Sequence, residues 1–217
     1  MGKSLFSVSV MAAIFLFFAC STSSVTTEQV SYPNHPRSIL VMPPVNLSVD
    51  VNAAQTFLAT STYPLAEAGY YVIPVALSTQ MFIQNGVTVA EEALTIPHDR
   101  LREIFGADAA LYITIFQYGA IYYVIGSAVV ASASARLVDL RSSEELWSGR
   151  VEITDTSNNN GSLSYILFGA LFDQIANTVF NVAYDVGRRA NHQLLSAERR
   201  EGILYGPYHS RFGAENR

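Results

Sequence analysis

The chain has few of the residues that build disulfide frameworks, metal sites or nucleic-acid surfaces. One cysteine, one tryptophan and four histidines occur among 217 residues. A single cysteine excludes an intramolecular disulfide, so the fold must be stabilised by packing of its apolar residues, which are half of the composition. The chain carries 13 Lys and Arg against 18 Asp and Glu, for a net charge of −5. Since nucleic-acid binding requires clustered positive charge, we expect no nucleic-acid partner.

Sequence signatures of catalysis and of ligand binding are also missing. No G-x-S-x-G turn or phosphate-binding glycine loop follows a predicted strand. The consecutive polar residues His98, Asp99 and Arg100 fall on a predicted helix, where neighbours point about 100° apart and cannot converge. The histidines lack the spacing of a zinc site and are scattered at His35, His98, His192 and His209. We expect no catalytic residue, metal or cofactor and no enzymatic activity, although carboxylates distant in sequence could still converge in the fold.

The only cysteine lies in the stretch AAIFLFFACSTSS, between an apolar run and a hydroxyl-rich segment. A short cationic start, ending at Lys3, precedes an uncharged run from Leu5 to Phe18, which is the plan of a secretory signal peptide. Ala19 directly precedes Cys20, as in lipoprotein signals, and predicts lipidation (palmitate) of Cys20. The alternative is a buried cysteine at the end of a transmembrane anchor. The run is short against the roughly 20 residues of a span, and no stop-transfer charges follow it, so lipidation is favoured.

These features divide the chain into four predicted segments. A signal peptide covers 1–19, a flexible tether 20–37, a single α/β domain 38–197 and a C-terminal tail 198–217. Ser21 follows the cysteine where Asp would commonly retain a lipoprotein in the inner membrane. Because Ser21 replaces that Asp, the sequence resembles that of a lipoprotein sorted to the outer membrane. We therefore expect a lipid anchor in the outer membrane of a Gram-negative bacterium, with the domain facing the periplasm.

The periodicity of the domain predicts an α/β fold with a βαβαα opening. Strands are expected at Ile39–Met42 and Tyr70–Pro74, around a helix over Val51–Gly69 that Pro64 breaks or kinks. A short helix capped by Ser78 or Thr79 and a third helix from PHDRLREIFGAD follow. Alternating apolar residues then predict three antiparallel meander strands, at 109–118, 121–140 and 145–154. A long C-terminal helix over about 163–195 completes the fold by packing on the mixed sheet.

A second apolar set on this long helix suggests a partner-binding surface. The helix already has a Leu/Ile/Val stripe at helical spacing, so the added aromatic residues widen its apolar arc beyond one sheet contact. These aromatic residues either complete the core under neighbouring loops or form an exposed interface. The candidate interface consists of Tyr165, Phe168, Phe172, Phe180 and Tyr184.

Several motifs resemble those of a known family. They are SILVMPPVN, YPLAEAGYYVIPVAL, FIQNG, LREIFGADAALYITI, ARLVDLRSSEELWSG and GILYGPY, between Ser38 and Tyr208. The chain is similar to a Gram-negative lipoprotein family of unknown function that includes a meningococcal vaccine-candidate antigen. The resemblance implies a fold like that of the TolB N-terminal domain and of small lipoproteins that activate cell-wall synthases. It also implies a CsgG-like outer-membrane lipoprotein as a partner, and it supplies no catalytic or ligand-binding residue.

Two function classes follow from these expectations. The first is a non-catalytic, lipid-anchored adaptor in an envelope or secretion-type complex. The second is a regulator that reaches from the outer membrane to a periplasmic cell-wall enzyme. A tether of about 17 residues extends at most roughly 60 Å, which is short for crossing the periplasm and favours the adaptor. A homo-oligomer is compatible with either class.

Overall fold

The computed structural model describes residues 35–123, 126–155, 172–199 and 202–213, without the side chains of 122, 123, 126, 127 and 172–181. The predicted signal peptide, Cys20 and nearly all of the tether therefore lie outside the described residues. The same holds for the loop at 157–162 and for the first part of the predicted C-terminal helix, with Tyr165 and Phe168.

The described residues form six strands and five helices, joined by turns and loops. The strands are β1 (Ser38–Val41), β2 (Val45–Asn46), β3 (Tyr71–Val72), β4 (Ala109–Tyr123), β5 (Gly126–Asp139) and β6 (Glu145–Asp155). The helices are α1 (Ala53–Glu67), α2 (Val75–Gln84), α3 (Ala90–Ala93), α4 (His98–Phe105) and α5 (Phe172–Leu195). The opening thus has the predicted order, with one short extra strand, β2, and one extra helical turn, α3.

The strands form one mixed sheet in the order β3-β1-β4-β5-β6, with β2 also paired to β4. β1 is parallel to β3 and β4, and Ile39 lies opposite Ala109. The pairs β4-β5 and β5-β6 are antiparallel, with Leu111 opposite Leu137 and Leu137 opposite Trp147. This arrangement confirms the predicted mixed sheet and meander.

Helices α1 and α5 cover one face of the sheet. Their apolar residues pack with a row of small residues on β5, namely Ala131, Ala133 and Ala135, in one buried cluster. Small side chains on β5 allow the two helices to lie close to the sheet. The other face is covered at its β1 end by α2, α3 and α4, whose residues Phe82 and Leu101 are buried with Leu40.

Three local expectations are wrong. Helix α1 is continuous through Pro64, without the predicted break, because proline lacks a single N–H donor and lies in the last turns before Glu67. Helix α2 begins at Val75, so Ser78 and Thr79 are not caps. Their hydroxyls donate to the Val75 carbonyl from inside the helix, at 3.2 and 2.7 Å. The first meander strand continues to Tyr123 and includes Gly119, which has a φ of +103°.

The C-terminal segment 202–213 packs against the domain. Ile203 is fully buried, and the backbone N–H groups of Gly206 and Tyr208 donate to the carbonyls of Ala68 and Gly69. His35 Nε2 lies 3.0 Å from the Tyr205 carbonyl oxygen, so both ends of the described chain meet. Every described residue belongs to one unit, Tyr32–Arg217. Among these residues no helix is long and apolar enough to cross a membrane.

Candidate partner-binding groove

The structure describes the side chain of one of the five predicted partner-binding residues, Tyr184. Phe172 and Phe180 lie on helix α5, but their side chains fall outside the description, as Tyr165 and Phe168 do entirely. Tyr184 is 40% exposed. Its place on the surface therefore defines the candidate site, and the choice between core and interface for the four other residues stays a prediction.

Tyr184 lines a groove of about 500 Å³ between helices α1 and α5. Residues at helical spacing form its two walls, because positions three or four apart lie on the same side of a helix. Its lining residues are Ala59, Thr60, Tyr63 and Pro64 from α1 and Tyr184, Arg188, Arg189 and His192 from α5.

One end of the groove holds an aromatic and acidic cluster. The Tyr63 ring stacks on the His192 ring, with centroids 6.2 Å apart and an interplanar angle of 29°. The Glu67 carboxylate lies 3.7 Å from His192 Nε2. A hydrogen bond to Glu67 and its negative charge raise the pKa of the Tyr63 hydroxyl. The tyrosine therefore stays a neutral donor on the exposed wall of the groove.

The other end holds a network of ion pairs. Asp185 binds Arg188 at 2.7 Å and Arg189 Nε at 3.1 Å, and Arg189 also binds Asp155 at the end of β6, at 2.6 Å. The Arg188 guanidinium beside Asp185 lowers the pKa of that carboxyl. Each exposed pair contributes little stability, and Arg189 is paired with two carboxylates at once.

A buried asparagine joins the two walls beneath the groove. The Asn191 amide donates to the Phe57 carbonyl at 2.8 Å and to the hydroxyls of Thr60 and Ser61 at 2.8 and 3.1 Å. Asn191 and Ser61 are fully buried. The contact ties α5 to α1 and makes the groove a preformed surface.

The chemistry of the groove suits binding more than bond cleavage. Tyrosine and arginine are the residue types that most often anchor protein interfaces. In the described part of the chain no three His, Cys, Asp or Glu residues lie close enough together to hold a metal ion. A second cavity contains His98, whose Nδ1 lies 2.8 Å from Ser143 Oγ and links α4 to the β5–β6 turn. Asp99 lines this cavity beside His98.

Most of the groove could not be predicted from the sequence. Tyr184, Arg188 and His192 recur every four residues, which is a detectable helix-face signal. Nothing in the sequence pairs that face with Tyr63 on α1, about 120 residues earlier, because the pairing depends on how both helices cross the sheet.

Comparison with known proteins places the chain in a family. Residues 30–208 match the family model described as "Putative lipoprotein GNA1162-like". The chain is 42% identical over 200 residues to "Putative lipoprotein NMB1124/NMB1162" of Neisseria meningitidis serogroup B, covering 91% of this chain and 93% of that protein. The chain belongs to the GNA1162-like family and is, by that membership, a membrane-anchored lipoprotein.

Solved structures agree with the fold. The crystal structure of lipoprotein GNA1162 from Neisseria meningitidis is 48% identical, with a TM-score of 0.54, over 65% of this chain and 99% of that one. A PelC dodecamer from Paraburkholderia phytofirmans is 11% identical, with a TM-score of 0.45, over 72% and 84% of the two chains. The second likeness is too weak to bear on assembly. The α/β fold with its C-terminal helix on a mixed sheet is thus that of a lipoprotein relative.

Proposed function

We propose that the protein is a non-catalytic adaptor of the cell envelope, anchored in the outer membrane by acyl chains on Cys20. Its α1–α5 groove holds a partner protein. By the family resemblance, a CsgG-like lipoprotein is the first candidate partner. The domain faces the periplasm and brings its partner to the membrane.

The groove between α1 and α5 is the observation that carries this proposal. Two tyrosines and two arginines are held there on rigid helices, above a buried asparagine that fixes the spacing of the walls. A preformed surface loses little conformational entropy on binding, and exposed tyrosines contribute large contact areas. These are properties of a protein-binding site.

The groove can be tested with Tyr63→Ser combined with Tyr184→Ser in the full-length lipoprotein. Both side chains are substantially exposed, so we expect the melting temperature to stay within about 2 °C. Removing two anchors should reduce co-purification of the partner from detergent-solubilised membranes at least tenfold, since anchors contribute about 2 kcal/mol or more each.

A matched control changes two exposed tyrosines outside the groove, Tyr71→Ser with Tyr208→Ser. This variant should retain the co-purified proteins of the wild type. Equal losses in both double variants, or no loss in the groove variant, would contradict a partner in the groove.

The lipid anchor is tested at Cys20. Cys20→Ala removes the only thiol of the chain, so incorporation of labelled palmitate should be abolished and the protein should accumulate as uncleaved precursor or soluble product. Cys20→Ser is a closer steric control and should lose the label equally. Undiminished label in either variant would show that the anchor is elsewhere.

The regulator of a cell-wall enzyme remains the alternative. It requires the domain to reach a periplasmic enzyme at a distance from the outer membrane, although the predicted tether is short. Lengthening the 21–34 segment by 30 residues separates the two functions. An adaptor that works at the membrane should keep its co-purified partner, whereas a regulator limited by reach should gain activity on its enzyme.

A further inference from the structure

Strand β6 forms a long edge of the sheet. It has 11 residues and lies beyond β5 at the end of the strand order. The strand at the opposite edge, β3, has only two residues. An edge strand presents unpaired backbone N–H and C=O groups, and proteins usually protect such an edge by short length, proline, a bulge or repelling charges. A long edge strand can therefore accept another strand.

Nine consecutive residues of β6 are regular and open along this edge. The register of β6 with β5 is continuous from Trp147 to Asp155, and it shifts only before Trp147. No proline occurs in these nine residues. Among the residues that the structure describes, the backbone of residues 148–154 is hydrogen-bonded to β5 and to no other strand. Neither length, proline nor a bulge thus protects the regular part of β6.

The side chains of the regular part alternate between the two faces of the sheet. Val151 is buried in the cluster beneath α1 and α5, and Ile153 packs against the same cluster. Arg150 and Glu152 flank Val151 and are exposed on the other face. The Arg150 Cζ atom lies 4.7 Å from the centroid of the Phe116 ring. In the described part of the chain, neither Arg150 nor Glu152 forms an ion pair.

The regular part of β6 is self-complementary about Val151. Two antiparallel copies of β6 can be aligned so that Val151 of one lies opposite Val151 of the other. Each Arg150 then lies opposite the Glu152 of the second copy, and each Ser148 lies opposite a Thr154. Residues directly opposite each other have Cβ atoms about 4.5 to 5.5 Å apart, where opposite charges stabilise the pair and like charges destabilise it.

The charges also disfavour the neighbouring registers. A one-residue slip would turn the apolar side chains of one copy to the exposed face, so the two-fold axis must pass through a residue. An axis through Arg150 would place that arginine opposite itself, and an axis through Glu152 would do the same with the glutamate. The axis at Val151 avoids both repulsions, and Val151 is also the midpoint of the regular residues 147–155.

The backbone gives such a pair the extent of a specific interface. Opposite residues of an antiparallel pair alternately exchange two hydrogen bonds or none, so nine residues form about eight to ten. A typical protein interface has about ten direct hydrogen bonds. A strand of another protein could form the same backbone bonds. A second copy, however, already has a glutamate for each Arg150 and an arginine for each Glu152, at the register that the regular part defines.

We propose that two copies of this chain pair antiparallel along β6, with a two-fold axis through Val151, and form one continuous sheet. This inference goes beyond the proposed function, because it concerns an edge of the sheet and not the α1–α5 groove. The dimer carries two grooves, and a partner that engages both is held more tightly than by one.

Charge reversal in the full-length lipoprotein tests the proposal. Two copies with different affinity tags are expressed in the same cells, and recovery of one with the other is measured from detergent-solubilised membranes. Arg150→Glu in both copies places like charges opposite each other, so recovery should fall at least about tenfold. Glu152→Arg in both copies should have the same effect. Arg150→Glu in one copy with Glu152→Arg in the other makes two opposite-charge pairs again, and recovery should return to within about twofold of the wild type.

Disulfide formation tests the register. Ser148→Cys in one copy and Thr154→Cys in the other puts two thiols on directly opposite residues, at a Cα distance that a disulfide can bridge. A mild oxidant should therefore link these two copies. Ser148→Cys in both copies is the matched control, because these positions are displaced by six residues, roughly 20 Å, along the pair and should not be linked.

Several results would overturn the proposal. Wild-type copies that do not recover each other would do so, as would like-charge variants that keep recovery or a mixed pair that does not regain it. A disulfide in the control but not in the mixed cysteine pair would exclude this register. Tyr63→Ser with Tyr184→Ser in both copies should leave recovery unchanged, and its loss would place the contact between copies in the groove instead of on β6.

Discussion

At the scale of single residues, buried polar groups determine how the C-terminal half of the chain packs on α1 and β3. The Asn191 amide serves three acceptors on α1, and both hydroxyls among them already donate to backbone carbonyls, Thr60 to Thr56 and Ser61 to Phe57. The side chain of Asn191 must therefore present its NH₂ group to α1. No apolar residue of similar size can replace that donor.

Truncating this asparagine should be costly. Asn191→Ala removes the donor and leaves a small buried cavity, so we expect a loss of about 2 to 4 kcal/mol in the free energy of unfolding. Urea denaturation of the domain measures it. Gln193→Ala, on the exposed side of the same helix, should cost less than about 0.5 kcal/mol. Similar costs in the two variants would mean that Asn191 does not join the helices.

Tyr70 makes a second buried contact, with a pH dependence. Its hydroxyl donates to the Leu204 carbonyl at 2.7 Å, and burial raises the pKa of Tyr70 above its usual value. A raised pKa in the folded state stabilises the protein below the unfolded pKa of about 10, and this stability is lost as the pH rises above it.

Tyr70→Phe should therefore change the alkaline limb of the stability profile. At pH 7 the variant loses one hydrogen bond, about 1 kcal/mol. Between pH 9.5 and 11 its unfolding free energy should fall less steeply than that of the wild type. The fall should not vanish, because burial also raises the pKa values of Tyr112 and Tyr118. Parallel alkaline limbs for the two proteins would contradict the assignment.

At the scale of elements, the sequence could predict those features that depend on neighbouring residues alone, such as the end of a helix at a glycine. Helix α4 ends at Gly106, which has a φ of +65° and belongs to the stretch PHDRLREIFGAD that predicts this helix. The start of α2 and the length of β4 were not predictable in the same way. Ser78 resembles a cap in sequence, yet its face of the helix is buried, and β4 passes Gly119 because β2 and the loop after it lie alongside. Tertiary contacts override the local signal there.

The close approach of α5 to the sheet depends on a glycine that the sequence pattern did not single out. A Cβ at Gly187 would lie 2.5 Å from Tyr118 Cε2 and 3.2 Å from Thr56 Cγ2. The Tyr118 hydroxyl and Thr56 Oγ1 are 3.1 Å apart, which holds the tyrosine ring in place. The ring therefore cannot easily move away.

Gly187→Ala should destabilise the domain although alanine favours helix. The gain of about 1 kcal/mol in helix propensity is opposed by about 1 to 3 kcal/mol of overpacking. In a Tyr118→Val background the clash is removed, and Gly187→Ala should be neutral or stabilising. Denaturation of the four proteins gives a coupling energy, expected to be at least about 1 kcal/mol. Zero coupling would show that the helix relaxes away from Tyr118.

At the scale of the whole molecule, the candidate surfaces are combinations of distant segments. The groove joins α1 to α5, and the loop at residues 47–51 is held by hydrogen bonds from Asn46 and Asn52 to Asp50. A single sequence shows which residues of the groove and of the loop are apolar. It does not show which of them the fold leaves exposed to solvent. Of the predicted interface on α5, the structure describes the exposure of Tyr184 alone, and the interface itself stays a prediction.

The C-terminal segment should be an integral part of the domain. Ile203 is fully buried, Tyr205 is nearly so, and the Leu204 carbonyl accepts the hydroxyl of Tyr70. A chain ending at Arg199 loses these contacts, exposes the apolar surface beneath them and leaves the Tyr70 hydroxyl without its acceptor. Burial of one large apolar side chain contributes about 1.5 to 3 kcal/mol, so we expect a total loss of at least about 4 kcal/mol.

Thermal unfolding and limited proteolysis of the two lipoproteins measure this loss. The truncated chain should melt more than about 10 °C lower, given the few degrees per kcal/mol of a domain of this size. It should also be cleaved faster within β3 and the end of α1, which the segment covers. Tyr208→Ser, an exposed position of the same segment, should leave both measurements unchanged. A truncated chain that melts like the wild type would mean that residues 202–213 cover a surface that the domain does not need to fold.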